Sequence, residues 1–196
     1  MQTPVRILRI DASARHRQSF SRAITTKLMA KLHTLYPGAI TRERDIYTDL
    51  PFLSESMITQ MDAGANAAGL TMEMQYSDML VKELQETDIL VLGVPVYNFA
   101  IPASLKAYID LVARAGITFR YHTNGFEGLL KHLEAYVVVT SNGTAMYSDS
   151  DFATSYLKHI FSFLGFKKST FIDATQILLQ GEDVVMAKAA QALASI

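Results

Sequence analysis

Short aliphatic runs alternate along the chain with segments whose apolar residues recur every three or four positions. Four runs rich in β-branched residues predict strands, at Val5–Ile10, Ile89–Val94, Ala135–Thr140 and Ser169–Ala174. The second and third lack charged residues, which is typical of strands buried on both faces. A more charged run, Ala39–Asp45, predicts a strand near an edge of the sheet.

Helical periodicity fills the intervals between the predicted strands. The first helix is expected to begin near Ser19–Ser21 and to end at Pro37-Gly38. The other predicted helices are Ser54–Ala65, Thr71–Glu86 after a break at Ala67–Leu70, one after Pro102, one from Ala153 to Gly165, and Gly181–Ile196. This alternation predicts an α/β fold, a doubly wound three-layer sandwich around a parallel sheet, formed by residues 1–196 as a single domain.

The stretch Asp88–Arg120 joins a buried strand, a loop and a helix. Pro95 is expected to end the strand because it has no N–H to donate, and Pro102 suits the first helical turn. Between them lies the aromatic and amide loop Val96–Phe99. Further on, Asn124-Gly125 predicts a tight turn within a short excursion.

Composition removes several classes of function. The 196 residues include no cysteine, which excludes disulfides, thiolate metal sites, iron–sulfur clusters and cysteine nucleophiles. A net charge of −1 gives no electrostatic reason to expect nucleic acid or an anionic membrane as a partner. The five histidines show no metal-ligand spacing, so no metal is expected. Without a signal peptide or a membrane-length apolar run, we expect a cytoplasmic protein.

Three loops are expected to emerge at one edge of the sheet, where parallel α/β folds bind ligands: Asp11–Ser21, Pro95–Phe99 and Ser141–Tyr147. Ser13, Ser19 and Ser21 lie where a helix begins, and hydroxyls together with free N–H groups favour an anion there. The alternative is that Ser19 or Ser21 only caps the helix.

A flat ligand with one terminal phosphate fits these loops. The chain contains no G-x-G, which argues against a dinucleotide-binding loop, and a Walker loop is absent. The loop Asp11–Ser21, called the serine loop below, would bind the phosphate. Tyr97 and Phe99 would face the ring. Gly143 would let the backbone approach the ring closely. Flavin mononucleotide (FMN) has this shape. Ser141 has no G-x-S-x-G context for a hydrolase, and Asp11 lacks the second carboxylate of a phosphoreceiver.

The segment Val94–Leu129, which begins V-P-V-Y-N-F-A-I-P and continues through R-A-G-I-T-F-R-Y, resembles the FMN-dependent NADH-azoreductases, the flavodoxin-like quinone reductases of bacteria. The spacing of Ser13, Ser19 and Ser21 and the stretch Tyr156–Gly165 resemble the same family. The resemblance implies a flavodoxin-like sheet with strand order 2-1-3-4-5 and one FMN per subunit. It also implies a homodimer with its sites at the interface.

The resemblance further implies a role for individual residues. The phosphate would lie with Ser13, Ser19, Phe20 and Ser21. The ring would lie between two loops, Val96, Tyr97, Asn98 and Phe99 on one side and Ser141, Asn142, Gly143 and Thr144 on the other. Phe119, Tyr121 and Phe163 match positions near the substrate pocket of the family.

The implied reaction is a two-electron, ping-pong hydride transfer from NADH or NADPH to a quinone or azo compound. The flavin N5 carries the chemistry, so no catalytic side chain is expected. The chain departs from the family where Ser141-Asn142-Gly143-Thr144 replaces Ser-Arg-Gly-Gly, and the basic run Arg15–Arg17 leaves the choice between NADH and NADPH open. The alternative is a flavodoxin-type electron carrier, although a net charge of −1 offers little of the acidity that such carriers use for docking.

Overall fold

The computed structural model describes residues 3–47, 50–63 and 71–196. Its strands are β1 Arg6–Asp11, β2 Ile40–Asp45, β3 Ile89–Pro95, β4 Phe119–His122, β5 Gly125–Gly128, β6 Glu134–Thr140 and β7 Lys168–Ala174. Its helices are α1 Phe20–Leu35, α2 Glu55–Ala63, α3 Met72–Gln85, α4 Ala103–Val112, α5 Phe152–Leu164, α6 Ile177–Gln180 and α7 Glu182–Ala194. The predicted break at Ala67–Leu70 lies outside the described residues.

Five parallel strands form the main sheet, in the order β2-β1-β3-β6-β7. Counted within this sheet, the order is the expected 2-1-3-4-5. Strand β3 lies at its centre and is buried along its whole length, as its uncharged sequence predicts. The charged strand β2 lies at an edge, and β4 and β5 form a separate antiparallel hairpin. Its two-residue loop is Thr123-Asn124, because Gly125 already pairs with His122, so the turn lies one residue before the predicted Asn124-Gly125.

Helices cover both faces of the sheet, which confirms the doubly wound three-layer architecture. One apolar core contains Leu32 of α1 and Val185 of α7, together with Ile7 and Val138 of the sheet. The other joins residues of α2, α3, α4 and α5 to the opposite face. Most of the core is aliphatic, and its burial is the main source of stability in a domain of this kind.

The two prolines of the central stretch each lie one residue away from the position that the sequence predicts within their element. Pro95 belongs to β3, paired with Thr140, and the Val96 N–H still donates to the Thr140 carbonyl at 2.7 Å. The missing N–H of Pro95 therefore does not end the strand one residue earlier. Pro102 is the N-cap of α4 and so precedes the first helical turn. No pattern in the sequence predicts the short helix α6.

The hairpin packs on the end of α5 through a contact between two backbones. A Cβ on Gly128 would lie 2.1 Å from the Gly165 nitrogen. Gly165, the predicted end of α5, has a left-handed φ of 82°. The Leu130 N–H donates to the Leu164 carbonyl at 3.0 Å beside this contact. Glycine at both positions thus fixes where the hairpin sits.

Candidate functional site

The three predicted loops meet at the carboxyl edge of the sheet, directly after β1, β3 and β6. A cavity of about 110 Å³ lies among them, with Ser13, Ser19, Ser21, Tyr97 and Asn142 in its wall. A neighbouring cavity of about 430 Å³ is lined by Val96, Tyr97, Asn98 and Phe99 on one side and by Ser141, Asn142, Gly143 and Thr144 on the other. The structure therefore brings together all the residues predicted for the phosphate and the ring.

The serine loop combines hydroxyls with the start of α1. Ser19 is the N-cap, and its Oγ accepts from the Arg22 N–H at 3.4 Å and lies 3.2 Å from Ser21 Oγ. Ser13 Oγ accepts from the Arg15 N–H at 3.2 Å. The N–H groups of Phe20 and Ser21 have no intrahelical acceptor because of their position in the first turn. Ser19 thus caps the helix and also faces the cavity, and the loop can bind an anion.

A buried carboxylate lies beneath this loop without making it acidic. Asp11 ends β1, and its Oδ2 lies 2.9 Å from Arg9 Nε, while Thr25 donates to its Oδ1 at 3.1 Å. A Cβ on Gly93 would lie 2.8 Å from the same Oδ1, so glycine in β3 makes room for the carboxylate. The negative charge of Asp11 is balanced by Arg9. Arg15, which is exposed in the cavity wall, adds positive charge that favours a phosphate.

The ring loop, Val96–Phe99, contains a two-residue turn whose backbone has positive φ angles. The Tyr97 and Ala100 N–H groups each donate to the other residue's carbonyl, at 2.9 and 3.1 Å. Asn98 and Phe99 between them have φ of 49° and 70°, as a type I′ turn requires. Positive φ is costly for phenylalanine, and its side chain is 54% exposed. The Tyr97 hydroxyl accepts from the Ala14 N–H at 3.2 Å, which links the ring loop to the serine loop.

The third loop is held in place by the unpredicted helix α6. The carbonyls of Ser141 and Asn142 accept from the N–H groups of Ile177 and Leu178 at 2.9 and 3.1 Å. Ser141 Oγ accepts from the Gln176 N–H at 3.0 Å and donates to the Thr144 carbonyl. A Cβ on Gly143 would have no neighbouring atom within 4 Å, so backbone there is open to a ligand.

The cavity wall includes residues that sequence reasoning did not select: Arg15, Gln18, Thr140 and Ile177. The sequence indicates Arg15 only as a source of positive charge. Ile177 follows β7, whose carboxyl end also reaches this edge of the sheet. The strand position alone could have identified that segment, because no polar motif marks it.

The predicted substrate residues lie elsewhere in the chain. Phe119 packs against Phe163 and Tyr121, with ring centroids 4.4 and 5.4 Å apart. The helix α5 begins beside the ring loop, where the Phe152 N–H donates to the Phe99 carbonyl at 3.0 Å. Phe163 comes eleven residues later, about 16 Å along the helix at 1.5 Å per residue. None of Phe119, Tyr121 and Phe163 lines either cavity within one chain.

Two titratable groups, Tyr147 at the end of the third loop and Asp173 in β7, keep their ordinary charge states near neutral pH. Burial, with the nearby charges of Asp151 and Asp173, raises the pKa of the Tyr147 hydroxyl, so it stays protonated. Burial alone would raise the pKa of Asp173, but hydrogen bonds from Lys188 and Thr175 lower it below its ordinary value. Neither group is poised to exchange protons at neutral pH.

Neither a membrane span nor a metal cluster is found in the part of the chain that the structure describes. None of its helices has the length and apolar character that crossing a bilayer requires. Within the same ranges, no three side chains of His, Cys, Asp or Glu are grouped as metal ligands would be.

Comparison with known proteins relates the whole chain to one group. A protein-family model described as "Flavodoxin-like fold" matches residues 5–196. The FMN-dependent NADH:quinone oxidoreductase 1 of Hahella chejuensis is 40% identical over 198 residues, which cover 100% of this chain and 97% of that protein. The protein of the same name from Jannaschia sp. is 43% identical over 88% of this chain and 89% of its own.

Solved structures show the same fold at lower identity. An azoreductase from Bacillus anthracis superposes with a TM-score of 0.88, at 24% identity, over 97% of this chain and 98% of that one. An FMN-dependent NADH-azoreductase from the same species, determined in complex with FMN, gives 0.87 at 22% identity over 97% and 96%. At these identities the likeness establishes the arrangement of helices and strands.

Proposed function

The chain belongs to the flavodoxin-like FMN-dependent NADH:quinone oxidoreductases, and from this membership we propose that it binds FMN and uses NADH to reduce quinones. The observation that carries the proposal is the convergence of the serine loop, the ring loop and the Ser141–Thr144 loop on two adjoining cavities. The first cavity offers a phosphate the serine hydroxyls and the start of helix α1. The second offers a ring the aromatic side chains of Tyr97 and Phe99.

The residues present fit FMN in shape and chemistry. Ser13, Ser19, Phe20 and Ser21 would hold the phosphate, with Arg15 adding positive charge. Tyr97 and Phe99 would form an apolar wall along the ring, and backbone at Asn98 and Gly143 would approach its polar edge. Bound FMN would accept a hydride from the nicotinamide and deliver two electrons to the acceptor.

The protein supplies orientation and exclusion of water in this account, and no side chain acts as an obligatory acid or base. The two turn bonds between Tyr97 and Ala100 fix the ring loop, and the α6 contacts fix the Ser141–Thr144 loop. Donors held in place before the reaction stabilise negative charge that develops on a ring. Asn142 and Thr144 would therefore influence the reduction potential and the acceptor.

Completion of the substrate pocket requires a second copy of the chain in our proposal. Phe119, Tyr121 and Phe163 form a partly exposed aromatic cluster, and Phe126 extends it with a ring centroid 4.8 Å from Phe163. The cluster cannot reach the flavin cavities of its own chain. A homodimer that places this cluster over the partner's ring loop would give each interface a quinone or azo site. We propose a cytoplasmic location for this dimer.

Steady-state kinetics test the proposed activity. Purified protein should oxidise NADH at a rate that rises with added quinone, and double-reciprocal plots at several quinone concentrations should be parallel, because donor and acceptor use one site in turn. Intersecting lines would contradict a shared site. A protein that holds FMN but oxidises neither NADH nor NADPH would be an electron carrier instead. The ratio of the two donors' kcat/KM values settles which nucleotide is preferred.

A further inference from the structure

Arg22 lies behind the serine loop and binds its backbone. Its Nη2 donates to the Ser13 carbonyl at 2.8 Å and its Nε donates to the Arg15 carbonyl at 3.0 Å. The guanidinium therefore holds two carbonyls of the loop that contributes Ser13 to the candidate phosphate site. A planar guanidinium can hold two acceptors in one fixed geometry, whereas a lysine ammonium acts as a single point of charge.

The guanidinium is itself fixed from the other side. Nη2 also donates to Asp45 Oδ2 at 2.8 Å, and Nη1 lies 3.8 Å from Asp11 Oδ2. These two carboxylates end β2 and β1, so Arg22 ties the loop to the carboxyl ends of two strands. Only 17% of its side chain is exposed. The Arg22 backbone N–H in addition donates to Ser19 Oγ at 3.4 Å.

Arg22 does not face the cavity that the serine loop surrounds. The residues in that cavity wall include Ser13, Arg15, Ser19 and Ser21, and Arg22 is not among them. Its positive charge is opposed by Asp11 and Asp45, neither of which lines that cavity. Any effect of Arg22 on a bound phosphate must therefore act through the loop backbone.

We infer that Arg22 is a positioning residue for flavin phosphate recognition. By binding the Ser13 and Arg15 carbonyls from behind, it fixes the loop so that the Ser13 hydroxyl and the first-turn N–H groups of α1 point into the cavity. This inference rests on the proposed binding of FMN. It predicts a selective effect, since Arg22 should matter for a flavin that carries a phosphate and not for one that lacks it.

Titration of the flavin-free full-length protein with FMN and with riboflavin tests the inference, using quenching of flavin fluorescence. Riboflavin has the same ring without the phosphate. Arg22→Gln should raise the Kd for FMN roughly tenfold, the loss expected from about two hydrogen bonds to the loop, and should leave the Kd for riboflavin within about twofold. Arg22→Lys should resemble Arg22→Gln because an ammonium, although it has three N–H donors, lacks the planar fork by which Nε and Nη2 reach the two carbonyls.

Two further variants complete the experiment. Asp45→Asn removes the negative charge that anchors Arg22, and it should raise the FMN Kd by a smaller factor, about threefold, even if Arg22→Gln folds poorly. Because Asp45 Oδ2 also lies 3.3 Å from His16 Nδ1 in the serine loop, His16→Ala is measured beside it and should leave the FMN Kd unchanged. Arg42→Gln is the matched control: Arg42 lies in β2, where it pairs with Glu86 at 3.0 Å on the exposed surface, and flavin affinity should not change.

Each outcome decides the inference. If Arg22→Lys restores the FMN affinity that Arg22→Gln loses, the positive charge matters and the paired hydrogen bonds to the Ser13 and Arg15 carbonyls do not. Equal weakening of FMN and riboflavin would show a structural role without phosphate selectivity, and unchanged FMN affinity in Arg22→Gln and Asp45→Asn would remove any role. If the unmodified protein binds neither flavin, the proposed function fails together with the inference. If it binds FMN and the variants bind equally well, the inference alone is overturned.

Discussion

Individual residues of the site carry conformations that the fold alone does not require. Asn98 and Phe99 both have positive φ in a turn at the end of a buried strand. Asparagine tolerates that region, whereas phenylalanine in it is unfavourable by roughly 1–2 kcal/mol. Since the Phe99 ring is more than half exposed, its burial within one chain offsets little of that cost. The strained position fits the proposed role of the Phe99 ring beside the flavin.

Replacement of Phe99 by glycine distinguishes the backbone strain at this position from the proposed role of the Phe99 ring in activity. Phe99→Gly should change the free energy of unfolding by less than about 1 kcal/mol, because relief of the backbone offsets the entropy cost of glycine. Quinone-dependent NADH oxidation should fall, because the ring cavity loses a wall. Phe152→Ala is the control, since it removes a ring that is 61% exposed and outside both cavities. A large loss of stability in Phe99→Gly would show that the ring is structural.

Gly143 offers a complementary test of where the ring lies. An alanine Cβ there meets no protein atom within 4 Å, and the φ of Gly143 is not in the left-handed region. Gly143→Ala should therefore leave thermal unfolding unchanged. It should weaken FMN binding, by about threefold to thirtyfold if the methyl displaces the ring from the backbone. If FMN affinity and the flavin spectrum are both unaffected, the ring does not lie on this loop.

At the scale of elements, a single carboxylate orders both a helix and the loop before it. Asp151 caps α5, accepting from the N–H groups of Ala153 and Thr154 at 3.1 and 3.0 Å. Its other oxygen accepts from the Tyr147 N–H at 2.8 Å. The carboxylate is thereby shared between the start of α5 and the polar segment that follows the Ser141–Thr144 loop.

Loss of this cap should destabilise the protein measurably. Asp151→Ala removes the three hydrogen bonds that the buried Asp151 carboxylate accepts. It should lower the free energy of unfolding by about 1–3 kcal/mol, measured by chemical denaturation. Asp149→Ala, two residues earlier on the exposed part of the loop, should have almost no effect. Equal effects of the two substitutions would contradict the assigned cap.

The elements that the sequence predicts well are those with a strong local signal. Apolar runs locate four of the five sheet strands to within one residue, and the more charged run Ala39–Asp45 locates the fifth. Ser19 and Gly165 mark helix ends, and Asn124-Gly125 marks the hairpin turn to within one residue, because their local chemistry is specific. The short helix α6 has no such signal, since four residues cannot show a period. Its position comes from hydrogen bonds to the Ser141–Thr144 loop, which is distant in sequence.

The whole molecule is predictable where loops follow parallel strands, and less so where side chains meet across the fold. The carboxyl edge brings the three predicted loops together by topology alone. By contrast, the two carbonyls that Arg22 holds and the separation of Phe163 from the ring loop depend on tertiary geometry. From the sequence alone, Arg22 cannot be distinguished from the nearby Arg15 and Arg17. The family resemblance named Phe163 without saying which subunit's flavin it would face.

An ion pair that joins distant segments makes stability depend on pH. Asp88 lies between α3 and β3 and accepts from the Arg6 backbone and side chain, at 2.8, 3.2 and 3.0 Å. The hydrogen bond with the Arg6 side chain lowers the pKa of Asp88 below its ordinary 3.8. A lowered folded-state pKa means that the unfolded chain binds the proton first, so this stabilisation is complete above pH 3.8 and is lost as pH falls through the folded value.

Removal of that carboxylate should flatten the acid limb of the stability curve. Asp88→Asn should lose less stability than the unmodified protein between about pH 5 and pH 2, measured by denaturant unfolding at each pH. The difference should be small, since both partners are more than one third exposed. Parallel curves for the two proteins would contradict the lowered pKa.

The most direct test of the proposed function is an absorbance spectrum of the purified protein, taken before and after anaerobic addition of NADH. The three-loop site predicts a yellow protein, or one that FMN renders yellow, whose visible band bleaches when NADH is added. A yellow protein that neither NADH nor NADPH bleaches would contradict the enzyme and favour a carrier. A colourless protein that FMN cannot reconstitute would show that the three loops bind a different ligand.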